Sequence, residues 1–90
     1  MNELDKRRAA IDEIDEKLIA LLAERRNQVQ EIIKIKKEIG MAARQPARFQ
    51  QVIEKQRQLA TKHNLDPKVT EAIWQIMHEY YVSIEEKDLK

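Results

Sequence analysis

The sequence predicts an all-α chain of three helices, one long, one short and one of medium length, and three observations carry that prediction. Residues 2–40 contain no Pro, and their only Gly is the last residue. Residues typical of helix ends and helix starts follow at 41–46 and at 64–67. Each segment between these breaks repeats its apolar residues at helical spacing, and none shows the alternation of a strand.

The first helix is predicted from Asn2, a good N-cap, to Gly40, which suits the left-handed residue after a helix. Its apolar residues form a heptad seam. The seam consists of Leu4, Ile11, Leu18, Ile32 and Ile39 in one heptad position and of Ile14, Leu21 and Ile35 in the other. Arg25 and Gln28 interrupt it. A charge withdrawn from water in such a seam needs an anionic partner.

The length of this helix predicts an oligomer. At about 1.5 Å per residue it would be roughly 57 Å long, whereas a compact domain of this size has a radius of gyration of only about 12 Å. Because one chain cannot cover the seam, we expect an intertwined homodimer in which two long helices run past each other. We expect residues 1–90 to form a single domain of that dimer.

The second helix is predicted to begin with Pro46 as its first residue and to end at Asn64 in the left-handed region. Its face is Phe49, Val52, Ile53, Gln56, Leu59, Ala60 and His63. Asp66 as N-cap and Pro67 as first residue predict a third helix that runs to about Glu86. Its apolar stripe is Val69, Ile73, Ile76, Met77, Tyr80 and Ile84, beside a row of Trp74, Tyr81 and Glu85.

Composition excludes several classes of function. The net charge of +1 and the mixing of basic with acidic residues argue against a nucleic-acid partner. The absence of Cys removes thiolate nucleophiles and Cys-based zinc sites, and no metal-binding spacing of His or carboxylates occurs. We therefore expect no metal, and we expect His63 and His78 to be structural or surface residues. Charged residues directly after Met1 and the lack of any membrane-length apolar segment predict a cytoplasmic protein without membrane contact.

Basic residues of the first helix indicate an anion site. Arg25 and Lys36 are eleven residues apart, so they share a face to within about 20° and lie roughly 16 Å apart along the axis. Two long side chains at that distance could clasp a small dianion. Arg8 lies about 25 Å before Arg25 on another side of the helix, and an antiparallel partner helix could deliver it. The alternative is that Arg25 pairs with a Glu of the partner chain.

These cations belong to a longer pattern. The run is Arg8-(x)2-Ile11-Asp12-Glu13-Ile14-Asp15-Glu16-Lys17-Leu18-Ile19-Ala20-Leu21-Leu22-Ala23-Glu24-Arg25-Arg26, with Lys36 ten residues later. Together with Pro46-Ala47-Arg48 and Asn64-Leu65-Asp66-Pro67, it resembles the all-helical chorismate mutases over essentially the whole chain. The resemblance implies a homodimer with two sites that each take an Arg from the other protomer. It also implies a cofactor-free rearrangement of chorismate to prephenate, on the way to Phe and Tyr.

By this match four cations bind a small dicarboxylate substrate: Arg25, Lys36 and Arg48 of one chain and Arg8 of the partner. Lys36 would place its charge at the ether oxygen of chorismate, where negative charge develops. Four further site positions depart from the family. Where its members have Asp, Glu, Ser and Gln, this chain has Gln45, Phe49, Tyr81 and Glu85.

Glu85 would lie beside the same ether oxygen. An ionised carboxylate there would repel the developing charge, whereas a protonated one could donate a hydrogen bond as Gln does. We therefore expect mutase activity to rise as the pH falls toward the range in which glutamate titrates. The alternative is that Glu85 points to solvent late in the third helix.

Phe49 keeps other functions open. The family's Glu at this position serves the ring hydroxyl and helps to orient the Lys, and an apolar ring does neither. Related isochorismate-pyruvate lyases share the fold and the Arg, Arg and Lys pattern but tend to be apolar here. They release pyruvate from isochorismate and form salicylate, again without a cofactor. A third hypothesis is a non-catalytic helical dimer.

The other two departures leave polar groups at the site. Tyr81 could bind a carboxylate or belong to the core, and Gln45 keeps a polar group but lacks the negative charge of the family's Asp.

Overall fold

The structure, a computed structural model, describes residues 2–88 and contains three helices and no strand in that range. Helix α1 spans Glu3–Ile39, α2 spans Pro46–Lys62 and α3 spans Pro67–Asp88. The predicted all-α fold with one long, one short and one medium helix is confirmed, and α3 runs two residues beyond its expected end. None of these helices combines the length and the apolar character needed to cross a membrane.

Local capping chemistry sets both ends of α1. Asn2 Oδ1 accepts a hydrogen bond from the backbone N–H of Asp5 at 2.8 Å, which confirms Asn2 as the N-cap. Gly40 has a φ of +71°, and the N–H of Met41 reaches back to the carbonyl of Lys36 at 2.8 Å. This is a Schellman motif, and it turns the chain into the loop at residues 40–45, within one turn of Lys36.

A second Schellman motif ends α2. Asn64 has a φ of +58°, and the N–H of Leu65 donates to the carbonyl of Ala60 at 2.8 Å. Asp66 Oδ1 then accepts from the N–H of Lys68 at 3.0 Å and caps α3. Both ends of this turn lie where the sequence predicted them.

The chain divides into two units, Met1–Lys34 and Ile35–Lys90. The described part of the first unit is helical from Glu3 onward. Every seam residue is more than half exposed: Leu4, Ile11, Ile14, Leu18, Leu21, Ile32, Ile35 and Ile39. The prediction that one chain leaves its seam uncovered is thereby confirmed. The homodimer and the single-domain organisation stay predictions.

In the second unit α2 and α3 pack against each other in antiparallel fashion. Phe49 near the start of α2 contacts His78 far along α3, whereas Arg57 late in α2 binds Glu71 early in α3. The buried apolar residues of this unit are Ala43, Ile53, Ala60 and Val82. They form a small core between the two helices and the loop that precedes them.

Helix α3 buries a different row from its apolar stripe. Thr70, Val82 and Glu85 are its buried residues, whereas Ile73 and Ile76 remain exposed. The Thr70 hydroxyl donates to the carbonyl of Pro67 at 2.9 Å, so its burial leaves no unpaired polar group. The sequence pattern identified the apolar positions, but the rotation of α3 about its axis decides which row meets α2.

Replacement of Gly40 by Ala is expected to destabilise the protein by about 1 kcal/mol, because a Cβ is disfavoured at this positive φ. No atom lies within 4 Å of the added carbon, so steric clash does not contribute. Urea unfolding at one fixed protein concentration measures the change. Asn64→Gly, at the equivalent position after α2, is the matched control and should be neutral or stabilising. Equal losses in the two variants would contradict the assignment.

Candidate active site

The centre of the second unit is a largely buried ion pair between the last turn of α1 and the end of α3. Lys36 Nζ lies 3.3 Å from Glu85 Oε1 and donates a hydrogen bond to the carbonyl of Ala43 at 2.8 Å. The Lys36 and Glu85 side chains are only 16% and 6% exposed. The alternative that Glu85 points to solvent is therefore wrong.

One oxygen of this pair has no protein partner. Glu85 Oε2 is buried and forms no hydrogen bond within the part of the chain that the structure describes. A buried polar atom without a partner is costly, and such atoms occur where a ligand or a proton completes the site. An ionised Oε2 would accept a hydrogen bond, whereas a protonated Oε2 would donate one.

The loop at residues 40–45 is fastened to α3 by Arg44. Its guanidinium donates to both carboxylate oxygens of Glu79 at 3.2 and 3.0 Å and lies 3.3 Å from Glu86. The hydrogen bonds from Arg44 lower the pKa of Glu79, which stays ionised and holds the loop. Ala43, the neighbour of Arg44, thereby presents its carbonyl to Lys36.

The start of α2 suits an anion. Gln45 precedes Pro46 but does not cap the helix with its side chain, because its amide Nε2 donates to the carbonyl of Ala42 at 3.0 Å. No acidic residue lies in the first turn, and Arg48 is exposed there. The positive end of the helix and a guanidinium are thus both available to a carboxylate.

Phe49 is engaged by a residue that sequence reasoning assigned no function. Its ring stacks on the imidazole of His78, with centroids 3.8 Å apart and planes inclined by 17°. Both rings line a pocket of roughly 210 Å³ together with Arg44, Gln45, Pro46, Gln50, Gln75 and Glu79. His78 lies seven residues before Glu85, on the same face of α3. That spacing is the signal that would have linked it to the site.

Burial lowers the pKa of His78, and the positive charges of Arg44 and Lys36 lower it further, against an opposing effect of Glu79. The imidazole is therefore neutral at pH 7.

Tyr81 is half-buried, and its ring meets that of Tyr80 edge to face at 5.4 Å and 71°. Its hydroxyl makes no hydrogen bond to any residue between 2 and 88. Contact with Tyr80 holds the ring, and the free hydroxyl is compatible with the predicted role in carboxylate binding.

The two remaining cations lie in the first unit. Arg8 is exposed on α1, and Arg25 is half-buried beside Leu21 and Gln28 along the same helix. Among residues 2–88 of one chain neither guanidinium has an ion-pair partner. Their convergence with Lys36 stays a prediction, as does the alternative pairing of Arg25 with a partner-chain Glu.

Comparison with known proteins agrees with the pattern of cations. Residues 7–86 match the model of the family described as chorismate mutase type II. The chain belongs to this family. A chorismate mutase of Methanocaldococcus jannaschii is 30% identical over 90 residues, which cover the whole of this chain and 91% of that protein. The resemblance drawn from the sequence is confirmed, and membership of a chorismate mutase family makes the chain an enzyme of the isomerase class.

Family membership indicates the kind of reaction but does not show which residues of this chain carry it out. Within the described range no group of three or more His, Asp or Glu side chains is placed to hold a metal ion. What the second unit offers is an ammonium group in a fixed position and a carboxyl group with one unpartnered oxygen. An ammonium group held in this way can stabilise negative charge that develops on a bound oxygen.

Removal of Lys36 should destabilise the fold strongly. Lys36→Met would leave the Glu85 carboxylate buried without a counter-charge, and we expect a loss of about 3 kcal/mol in urea unfolding at pH 7. Glu85→Gln keeps a hydrogen-bonding group beside the ammonium and should cost about 1 kcal/mol.

Lys34→Met provides the matched control. Lys34 is paired with Glu31 at 3.2 Å, but its side chain is 69% exposed, so the change should be below about 1 kcal/mol. A loss for Lys36→Met no larger than that for Lys34→Met would show that the buried pair contributes nothing special to stability.

Proposed function

We propose that this chain catalyses the cofactor-free [3,3] rearrangement of chorismate to prephenate, a step toward Phe and Tyr. The observation that carries the proposal is the Lys36 ammonium, held by the Ala43 carbonyl and Glu85 in a chain of the chorismate mutase type II family. We also propose that the protein is cytoplasmic.

The chemistry of the reaction requires little more than such a site. The rearrangement breaks one C–O bond and forms one C–C bond within a single molecule, without a nucleophile, a proton transfer or a cofactor. Catalysis must therefore come from holding the compact conformer and from stabilising negative charge on the ether oxygen. Lys36 is held by the Ala43 carbonyl before substrate binds, so its charge needs little reorganisation during the reaction.

Glu85 sets the electrostatics beside Lys36. When ionised, it neutralises the ammonium and repels the developing charge; when protonated, it does neither and can donate a hydrogen bond to the ether oxygen. The buried, unpartnered Oε2 supports this role, because a substrate oxygen would give that atom the partner it lacks among the described residues.

The two carboxylates of chorismate would be bound by guanidinium groups. Arg25 would bind one, and Arg8 of the partner chain the other, in bidentate fashion. Arg48 and the uncapped start of α2 would support a carboxylate, as would the Tyr81 hydroxyl. Gln45 would brace the loop through Ala42 at the edge of the site.

A homodimer is part of this proposal. The seam residues of α1 are more than half exposed in one chain, and their burial against a second copy would supply the driving force for association. An antiparallel partner helix would carry its Arg8 toward Arg25, which is half-buried and without an ion-pair partner in one chain's described residues.

Phe49 supports a second candidate function. Its apolar ring is stacked against His78 and offers no polar atom to a ring hydroxyl. Isochorismate, whose hydroxyl is attached at a different ring carbon, is therefore the alternative substrate, with salicylate and pyruvate as products. Phe49 alone distinguishes the two candidates, so both substrates belong in the first assay.

The wild-type protein should convert chorismate to prephenate, and Arg25→Ala and Arg8→Ala should each reduce kcat/KM at least a hundredfold through loss of a charged, bidentate contact. Product formation is followed by chromatography at pH 5 and pH 7.5, in parallel with isochorismate. Arg57→Ala, which removes an exposed Arg paired with Glu71 on the outside of α2 and α3, is the control and should keep its activity. Salicylate in place of prephenate would establish the lyase.

Mixing the two inactive variants tests whether the site is shared. If Arg8 acts across the interface, half of the dimers formed from an equal mixture are mixed, and each carries one site with both Arg residues intact. The refolded mixture should therefore regain about a quarter of wild-type activity. No recovery would place Arg8 and Arg25 in the same chain's site or outside the site altogether.

Glu85→Gln should exceed the wild type in kcat/KM for chorismate at pH 7.5, because the amide carries no negative charge beside the ether oxygen and can donate a hydrogen bond to it. Initial rates of prephenate formation measure the difference. The matched control is Glu71→Gln, which changes an exposed carboxylate of α3 and should keep the wild-type kcat/KM. A kcat/KM of Glu85→Gln no higher than that of the wild type would exclude an opposing effect of the Glu85 charge on the reaction.

A further inference from the structure

We propose that His78 is a further substrate-binding residue, whose imidazole hydrogen-bonds the ring hydroxyl of the substrate in the pocket that it shares with Phe49 and Gln45. This inference rests on the proposed function. It gives the substrate's ring hydroxyl a partner, which the four cations and Glu85 do not provide. The observations that carry it are the ring stack, the free imidazole nitrogens and the shared pocket.

The stack fixes the plane of the imidazole. With centroids 3.8 Å apart and planes inclined by 17°, Phe49 covers one face of His78, so polar contacts are possible only at the edge of the ring. Half-burial restricts the ring further. A side chain held in this way loses little conformational entropy when it binds a ligand.

The nitrogens at the edge of the imidazole are available for hydrogen bonds to a ligand. Among residues 2–88 no hydrogen bond to either ring nitrogen is formed. The ring is neutral at pH 7 because burial and the nearby cations Arg44 and Lys36 lower its pKa. A neutral imidazole has one donor and one acceptor, and a hydroxyl group can satisfy both.

Most other polar groups of the pocket are engaged or exposed. The Gln45 amide nitrogen donates to Ala42, and Arg44 and Glu79 bind each other. Gln50 and Gln75 are exposed at its rim. His78 and the Gln45 amide oxygen are therefore the half-buried polar groups of this pocket without a hydrogen bond on the described part of the chain, and of the two only His78 is stacked on Phe49.

One polar group of the substrate still lacks a binding partner in the proposed site. The Arg residues would bind its carboxylates, and Lys36 and Glu85 would contact its ether oxygen. The group that remains is the ring hydroxyl. Phe49 has no polar atom to offer it, and His78 is the ring stacked directly on Phe49. Because His78 lies two turns before Glu85 on the same face of α3, the imidazole lies toward the end of the substrate that Lys36 and Glu85 would hold.

The test compares two substrates in two variants. His78→Phe keeps an aromatic ring stacked on Phe49 but removes both nitrogens, and we expect kcat/KM for chorismate to fall about tenfold, as for the loss of one buried hydrogen bond. For a chorismate analogue in which hydrogen replaces the ring hydroxyl, wild type and His78→Phe should react equally well. His63→Phe, which changes the exposed His at the end of α2, is the matched control and should resemble the wild type with both substrates.

Equal losses of His78→Phe with both substrates would overturn the proposal, because a purely structural role does not distinguish the hydroxyl. Far-UV circular dichroism melting verifies that each variant is folded, and His78→Asn, which restores a donor and an acceptor, should recover part of the activity toward chorismate alone.

If the wild type converts no chorismate, calorimetric binding of chorismate replaces turnover. Tenfold weaker binding to His78→Phe would then support the contact without the mutase, whereas equal or absent binding would overturn it.

Discussion

The buried charge of Lys36 is the constraint on which the second unit of this chain depends. An ammonium that is 16% exposed must be matched by nearby acceptors, and here the Ala43 carbonyl and Glu85 supply them. Each acceptor comes from a different element, so one interaction connects the last turn of α1, the loop after Gly40 and the end of α3. The Schellman motif at Gly40 makes this possible, because it reverses the chain soon enough for Ala43 to reach back to Lys36.

The interaction that places Lys36 also limits what it can do. A bare ammonium would be the strongest stabiliser of negative charge on a substrate oxygen, but it could not be kept buried without a partner. Glu85 provides the partner and, while ionised, reduces the net charge that a substrate would encounter. A neutral amide would remove this conflict at some cost in the stability of the buried ammonium. The pair therefore fixes the ammonium in place, and an ionised Glu85 offsets part of its charge.

The sequence predicted the helix ends well, because capping is local chemistry. Asn2, Gly40, Asn64 and Asp66 each act within a few residues of themselves, and their roles can be recognised without any tertiary information. The burial of Glu85 and its contact with Lys36 could not be predicted in this way. They depend on how far α3 is rotated about its axis against α2, and heptad counting identifies rows of residues without saying which row faces inward. The stack of His78 on Phe49 was missed for the same reason, since the seven-residue spacing of His78 and Glu85 puts both on one face of α3 without saying that this face turns inward.

The four cations proposed for the site fall into two groups that differ in how their charge is balanced. Lys36 is neutralised within its own chain, whereas Arg8, Arg25 and Arg48 have no ion-pair partner in the described residues. Arg25 is the most informative of the three, because it is half-buried even though the apolar residues of its seam are more than half exposed in one chain. Burial of that seam against a second copy would withdraw Arg25 further from water and raise its need for an anion. Under the proposed function, dimer formation and dianion binding are therefore coupled, since each supplies part of what makes the other favourable.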